Sequence, residues 1–151
     1  MRAMKHTDAG QAVVELVVIV PILLLLMLGA VDVGRYMHDA IEAGNAARAG
    51  VQYGAQSMTT STDSSGIASA AQTDANDIAR LSITASNYCT CDSAPGTLYQ
   101  GCTGMPACSS PDHADVYVEV VVSKTFTPLV AYPGIPSPLT VSRSAIQQVT
   151  P

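Results

Sequence analysis

The sequence predicts an α+β protein: a long N-terminal transmembrane helix that extends into a small antiparallel sheet head with a second helix. Three observations predict it. Ala12 to Val31 is a run of 20 residues whose only charge is Glu15, the length needed to cross a bilayer as a helix. An alanine-rich amphipathic segment follows without a break as far as Gln56. Near the C-terminus, DVYVEVVVSKTF (Asp115–Phe126) alternates as a strand does, and LTVSRSAIQQV (Leu139–Val149) can pair back on it. Helix followed by segregated antiparallel strands is the α+β pattern.

Residues 1–10, MRAMKHTDAG, are short and polar, with Arg2 and Lys5 ahead of the apolar run. Beyond the run Asp32 and Arg35 balance one another, so the basic flank predicts a cytoplasmic N-terminus and an extracytoplasmic head. A secretory signal peptide would have an apolar core of about 7 to 15 residues and a small-x-small cleavage site. Leu28-Gly29-Ala30 is a poor version of that site, and the helical pattern runs through it. Pro21 lies inside the run, where proline is tolerated in a membrane helix but predicts a bend between Gln11–Val20 and the leucine block Ile22–Leu28.

Past Val31, small or apolar residues stand at Val33, Met37, Ala40, Ile41, Gly44, Ala47, Val51, Gly54 and Ala55, mostly in steps of three and four. That is the spacing of one helix face. Asp39, Glu42, Asn45 and Gln52 fall off it, and Arg48 lies at its edge. From Gln11 to Gln56 the helix has 46 residues, about 70 Å. Small residues four apart (Ala40 and Gly44, Ala43 and Ala47, then Ala46, Gly50 and Gly54) permit close backbone approach. They fit packing under the protein's own head and packing between subunits equally, on one face or on two.

Gln56–Gly66, QSMTTSTDSSG, reads as a polar linker. Ser64 or Ser65 can cap a second helix over Gly66–Leu81, with Ile67, Ala70, Ala71, Ala75, Ile78 and Ala79 as its buried stripe. Leu81–Tyr88 alternates like a strand. The following segment, rich in Gly, Pro, Ser and Thr, reads as loop or irregular hairpin, and YPGIPSP (Tyr132–Pro138) as a tight loop between the last two strands.

Composition excludes several functions. The net charge is −5 with only 7 Lys and Arg, so no basic patch exists for a phosphate backbone and nucleic acid is not an expected partner. Charged residues make up 13% of the chain, about half the usual share of a soluble domain, which suits packing against subunits or a membrane. Cys89, Cys91, Cys102 and Cys108 form an even set in the exported part, which predicts disulfides. Their spacing departs from the paired C-x2-C knuckles of zinc modules, so no metal is expected. Cys89 and Cys91 are too close to pair with each other, and either cross-pairing with Cys102 and Cys108 closes loops worth about 2 to 4 kcal/mol. His113, near Asp112 and Asp115, is the head's one histidine. No nucleophile spacing, phosphate loop or HExxH accompanies it, so neither enzyme activity nor a cofactor is expected.

Glu15 is the costly residue. A carboxylate at the centre of a membrane helix costs about 2.5 to 3.5 kcal/mol on insertion scales, less near an interface. With Gly10 five positions earlier, the chain resembles the type IV prepilin pattern, in which a basic leader ends in glycine and glutamate stands fifth in the mature chain. More closely, GQAVVELVVIVPILLLLMLGAVDVGRYMHDAIEAGNAARAGVQYGA is similar to the opening of the TadE-like family, minor pilins or pseudopilins of tight adherence (Tad) pili. Gly10, Glu15, Pro21, Gly29, Gly34, Arg35 and Asn45–Gly50 carry the resemblance. Leu16 stands where the shorter major Tad pilins have tyrosine.

The resemblance implies cleavage between Gly10 and Gln11 by a prepilin peptidase, and Glu15 offsetting the N-terminal amine of a neighbouring subunit. It implies a leader 1–10, a transmembrane segment 11–31, a helix extension 32–56 and an exported head 57–151 with its Cys-rich loop 89–108. The implied setting is the inner membrane of a bacterium, with possible passage into the pilus. Other pilin-like subunits and the assembly machinery are the implied partners, and pilus assembly and adhesion the implied role. The alternative is a membrane-anchored binding module with no pilus role.

Overall fold

The computed structural model describes residues 8–76, 80–92, 94, 96–109, 112–132 and 134–149. Helix α1 spans Asp8–Gly54, 47 residues or about 70 Å. It begins before the expected Gln11 and continues through Pro21. Proline removes only one backbone donor, and within a long apolar run the helix continues through it, as expected of a proline tolerated in a membrane-length helix.

After a turn at Ala55–Gln56, the stretch read as linker forms a short helix, α2 (Met58–Thr62). Ser57 caps it in a reciprocal box: Thr60 N–H donates to Ser57 Oγ at 3.2 Å and Ser57 N–H to Thr60 Oγ1 at 3.0 Å. Helix α3 (Ser64–Asp74) is capped by Asp63 rather than by Ser64 or Ser65. The Asp63 carboxylate accepts from the Ser65 hydroxyl (2.7 Å), the Gly66 N–H (2.9 Å) and the Tyr53 hydroxyl (2.9 Å). These donors, that of Ser65 foremost, hold its pKa below the ordinary 3.8. Tyr53 thereby ties the end of α1 to the start of α3.

Helix α3 stops at Asp74, well short of the expected Leu81, with Ala75 as its cap. Thr73, Asp74 and Asn76 are residues that compete with helix through their own side-chain hydrogen bonds. Ile67, Ala71 and Ala75 of the expected stripe are buried, while Ile78 and Ala79 lie outside the described residues.

The sheet contains β1 (Ser82–Cys91), β2 (Tyr99–Gln100), β3 (Ala114–Phe126) and β4 (Leu139–Gln148) in the order β2-β1-β3-β4, every pairing antiparallel. Strand β1 is longer than LSITASNY suggested, because Cys89, Thr90 and Cys91 stay in register with Val116, Asp115 and Ala114. The first two cysteines therefore stand on a strand, not in a loop. Alternation along β3 buries Val116, Val118, Val120 and Val122 as read from the sequence. They pack with Ile67, Ala71 and Ala75 of α3 and with Ala43, Ala46, Ala47 and Val51 of α1. A second cluster of Ala40, Phe126 and Val141, with Tyr36 and Leu139 against it, lies nearer the apolar end of α1. The other sheet face carries the stacked pair Tyr88 and Tyr117, ring centres 5.6 Å apart.

Candidate functional site

None of the apolar window in the N-terminal half of α1 is buried, and the head comes near it only at the C-terminal end of the apolar run, where Tyr132 approaches Gly29. Gly10 and Gln11 lie within the first turns of α1, exposed, and a side chain at Gly10 would meet no neighbour. Glu15 is exposed between Val14 and Leu16, and among the described residues it makes no hydrogen bond or ion pair. A lone carboxylate thus stands on an otherwise apolar cylinder.

The C-terminal half packs under the head. Ala40, Ala47, Gly50 and Gly54 are buried there, and Gly44 is half-buried near Arg143. The buried face, which runs through Asp32, Asp39, Ala40, Ala43, Ala46, Ala47, Gly50, Val51, Gly54 and Ala55, overlaps the stripe read off the sequence but is centred roughly 70° from it. Val33, Met37 and Ile41, placed on that stripe, are exposed. The apolar residues of this segment are large on the open side and small on the covered side, because the sheet approaches the backbone closely.

At Gly54 an added Cβ would lie 2.9 Å from Val118 Cγ1 and 3.0 Å from Ile67 Cδ1; at Gly44 the nearest atom is Arg143 Cγ at 4.0 Å. Gly54→Ala is therefore expected to lower stability by about 1 to 2 kcal/mol, overpacking outweighing any gain in helix propensity. Gly44→Ala is expected to raise it by about 0.5 to 1 kcal/mol. Thermal unfolding of the two detergent-solubilised variants reads the opposite signs directly.

Two acidic residues of α1 hold the head in place, and the sequence reading missed both. Asp32 is 5% exposed and accepts from the Leu129 N–H (3.0 and 2.9 Å to its two oxygens), the Tyr132 hydroxyl (3.3 Å) and Arg35 (3.0 Å). Asp39, assigned to the solvent side by periodicity, pairs with Lys124 at 2.7 Å. Arg35 also lies over the Phe126 ring, 5.3 Å from its centre. One signal could have found the second pair. Lys124 shares the parity of Val116 to Val122 on β3, so its side chain leaves the sheet on the helix side and calls for an acid there.

At the far end of the head, Cys89 bonds Cys102 and Cys91 bonds Cys108. The bridges tie β1 to the turn after β2 and to the following loop, closing loops with separations of 13 and 17 residues, each worth about 3 kcal/mol. Disulfide bonding leaves these four sulfurs without thiolate character for a metal. Beside them, His113 Nδ1 lies 2.9 Å from Asp92 and Nε2 lies 3.8 Å from Asp115. Their three candidate ligand atoms fall within 4.8 Å of one another. A hydrogen bond that the protonated Asp92 carboxyl can donate to Asp115, burial and the charge of Asp115 push the Asp92 carboxyl above its usual range. His113 itself is largely exposed.

An unburied apolar helix carrying one carboxylate, clamped at its other half to a disulfide-tied α+β head, defines a head-on-stalk protein whose stalk is long and apolar enough to cross a membrane. Residues 10–52 match the family model described as TadE-like protein. The match covers the stalk from Gly10 into its last turn and none of the head, so it is a likeness of the stalk to TadE-like proteins. No curated protein and no solved structure matches the chain.

Proposed function

We propose that this chain is a minor pilin or pseudopilin-like component of a Tad-type pilus system. It is held in the bacterial inner membrane by the N-terminal half of α1, with its N-terminus cytoplasmic and its head outside. A prepilin peptidase cleaves between Gly10 and Gln11, and the mature chain joins or primes a fibre through helix packing, in the service of adhesion. The observation that carries this reading is Glu15, exposed and without a partner among the described residues, on the apolar part of a helix that matches the TadE-like model. An unpaired carboxylate in an apolar setting calls for a positive charge, and the N-terminal amine of a neighbouring processed subunit supplies one.

The head is tied to the stalk and cross-linked within itself, which supports such a role. The Asp32 and Asp39 contacts and the small-residue face of α1 fix it on the stalk, and the disulfides fix its distal loops. Intact-mass measurement of the membrane-extracted protein is expected to show Gln11 as its first residue. Finding only chains that retain residues 1–10 would overturn the processing step.

A further inference from the structure

We propose that the loop between β3 and β4 rests in the membrane leaflet on the head's side, and that the groove it forms with α1 is filled by lipid acyl chains. The groove encloses about 740 Å³. One wall is the membrane segment itself, through Leu25, Leu26, Gly29 and Ala30; the facing wall includes Tyr132 and Ile135 of the loop. Ala12–Val31 as a helix spans about 30 Å, the thickness of the hydrocarbon core. Gly29 then lies about 3 Å inside its upper boundary and Leu25 about 9 Å inside. A Cβ at Gly29 would stand 3.7 Å from the Tyr132 hydroxyl, so the loop cannot be lifted clear of the bilayer while α1 spans it. What lies against Leu25 and Leu26 at that depth is lipid.

The loop's chemistry agrees with this placement. Residues 127–138, TPLVAYPGIPSP, carry no charge, and Leu129 and Ile135 are 58% and 51% exposed. Tyr132, Tyr36 and Phe126 cluster at the level where aromatic side chains prefer the interface. Asp32, the one acidic residue on the groove, is occupied by the Leu129 N–H, Tyr132 and Arg35, which lets the head sit low. Arg35, four residues past the end of the span, stands about 6 Å above the core, at the height of lipid phosphates.

The inference rests on the membrane-spanning reading of α1, and the test separates the two. The chain contains no tryptophan, so single-tryptophan variants each report one place. Leu23→Trp marks the span, Ile135→Trp and Leu129→Trp the loop, and Leu98→Trp the distal, solvent-facing part of the head. Each full-length variant is placed in lipid nanodiscs holding one chain or several, with or without acyl-brominated lipid. Both loop tryptophans are expected to emit to the blue of Leu98→Trp and to lose about half their emission to brominated lipid. Quenching of Leu23→Trp with unquenched, red-emitting loop tryptophans would overturn the loop placement and leave the span intact. An unquenched Leu23→Trp would overturn both. A blue shift that needs several chains per disc and is insensitive to bromine would assign the groove to a second copy instead of lipid, and overturn the proposal equally.

Discussion

Glu15→Ala is expected to abolish piliation while the protein still accumulates in the membrane. Removing a carboxylate from an apolar helix makes insertion easier by as much as about 2.5 to 3.5 kcal/mol, so loss of membrane protein is not the expected failure. In the structure Glu15 supports no fold contact among the described residues, and the head packs against a different half of α1. A defect must then arise between chains. There the carboxylate would neutralise a neighbouring amine in a medium of low polarity, and truncating one partner of such a pair costs about 3 to 5 kcal/mol. Glu15→Gln tests the charge separately, since it keeps the shape and hydrogen-bonding capacity but not the attraction. Counting surface pili by electron microscopy at matched membrane levels reads the result. Normal piliation in both variants would favour a membrane-anchored binding module with no pilus role.

The second large effect is expected at the junction. Asp32→Ala removes the acceptor shared by the Leu129 N–H, the Tyr132 hydroxyl and Arg35. The Leu129 N–H and the Tyr132 hydroxyl would be left beside an apolar groove with nothing to bond. The β3–β4 loop should detach from α1, with a fall in melting temperature of roughly 5 to 10 °C and faster proteolysis confined to residues 127–138. Asp32→Asn keeps an oxygen for the Leu129 N–H but loses the ion pair, and should fall between alanine and the parent. The test is limited proteolysis with the cleavage sites read by mass spectrometry. A loop as resistant in Asp32→Ala as in the parent would show that packing of Phe126, Val141 and Ala40 alone holds the junction.

Much of this architecture is legible from one-dimensional pattern. Apolar length alone marks the stalk, since crossing a bilayer demands about 20 uncharged residues and little else does. Period-two alternation marks β3 and its buried valines, because a sheet covered on one face leaves no other pattern open to it. Gly10 and Glu15 are likewise readable as a spacing. Local pattern fails where two segments compete or meet. Within QSMTTSTDSSG, the Asp63 that caps α3 is held by Tyr53 reaching it from the end of α1. The phase of the stalk's buried face could not be taken from hydrophobicity, since the sheet selects small residues for close approach and leaves Val33, Met37 and Ile41 outside.

By itself, then, the sequence determined a single apolar stalk, an antiparallel sheet with a covered valine face, an even set of cysteines in the head and a carboxylate misplaced in an apolar run. These are properties of length, period, count and spacing, carried by local chain chemistry. Only the tertiary structure decided that Asp32 and Asp39 are clamps and not solvated charges, that Cys89 pairs with Cys102 and Cys91 with Cys108, and that Gly50 and Gly54 are covered by the chain's own head. Each of these depends on which distant segment arrives at a given face of α1 or β1. Contacts across nearly a hundred residues, such as Asp32 with Leu129, leave no periodic trace in either partner.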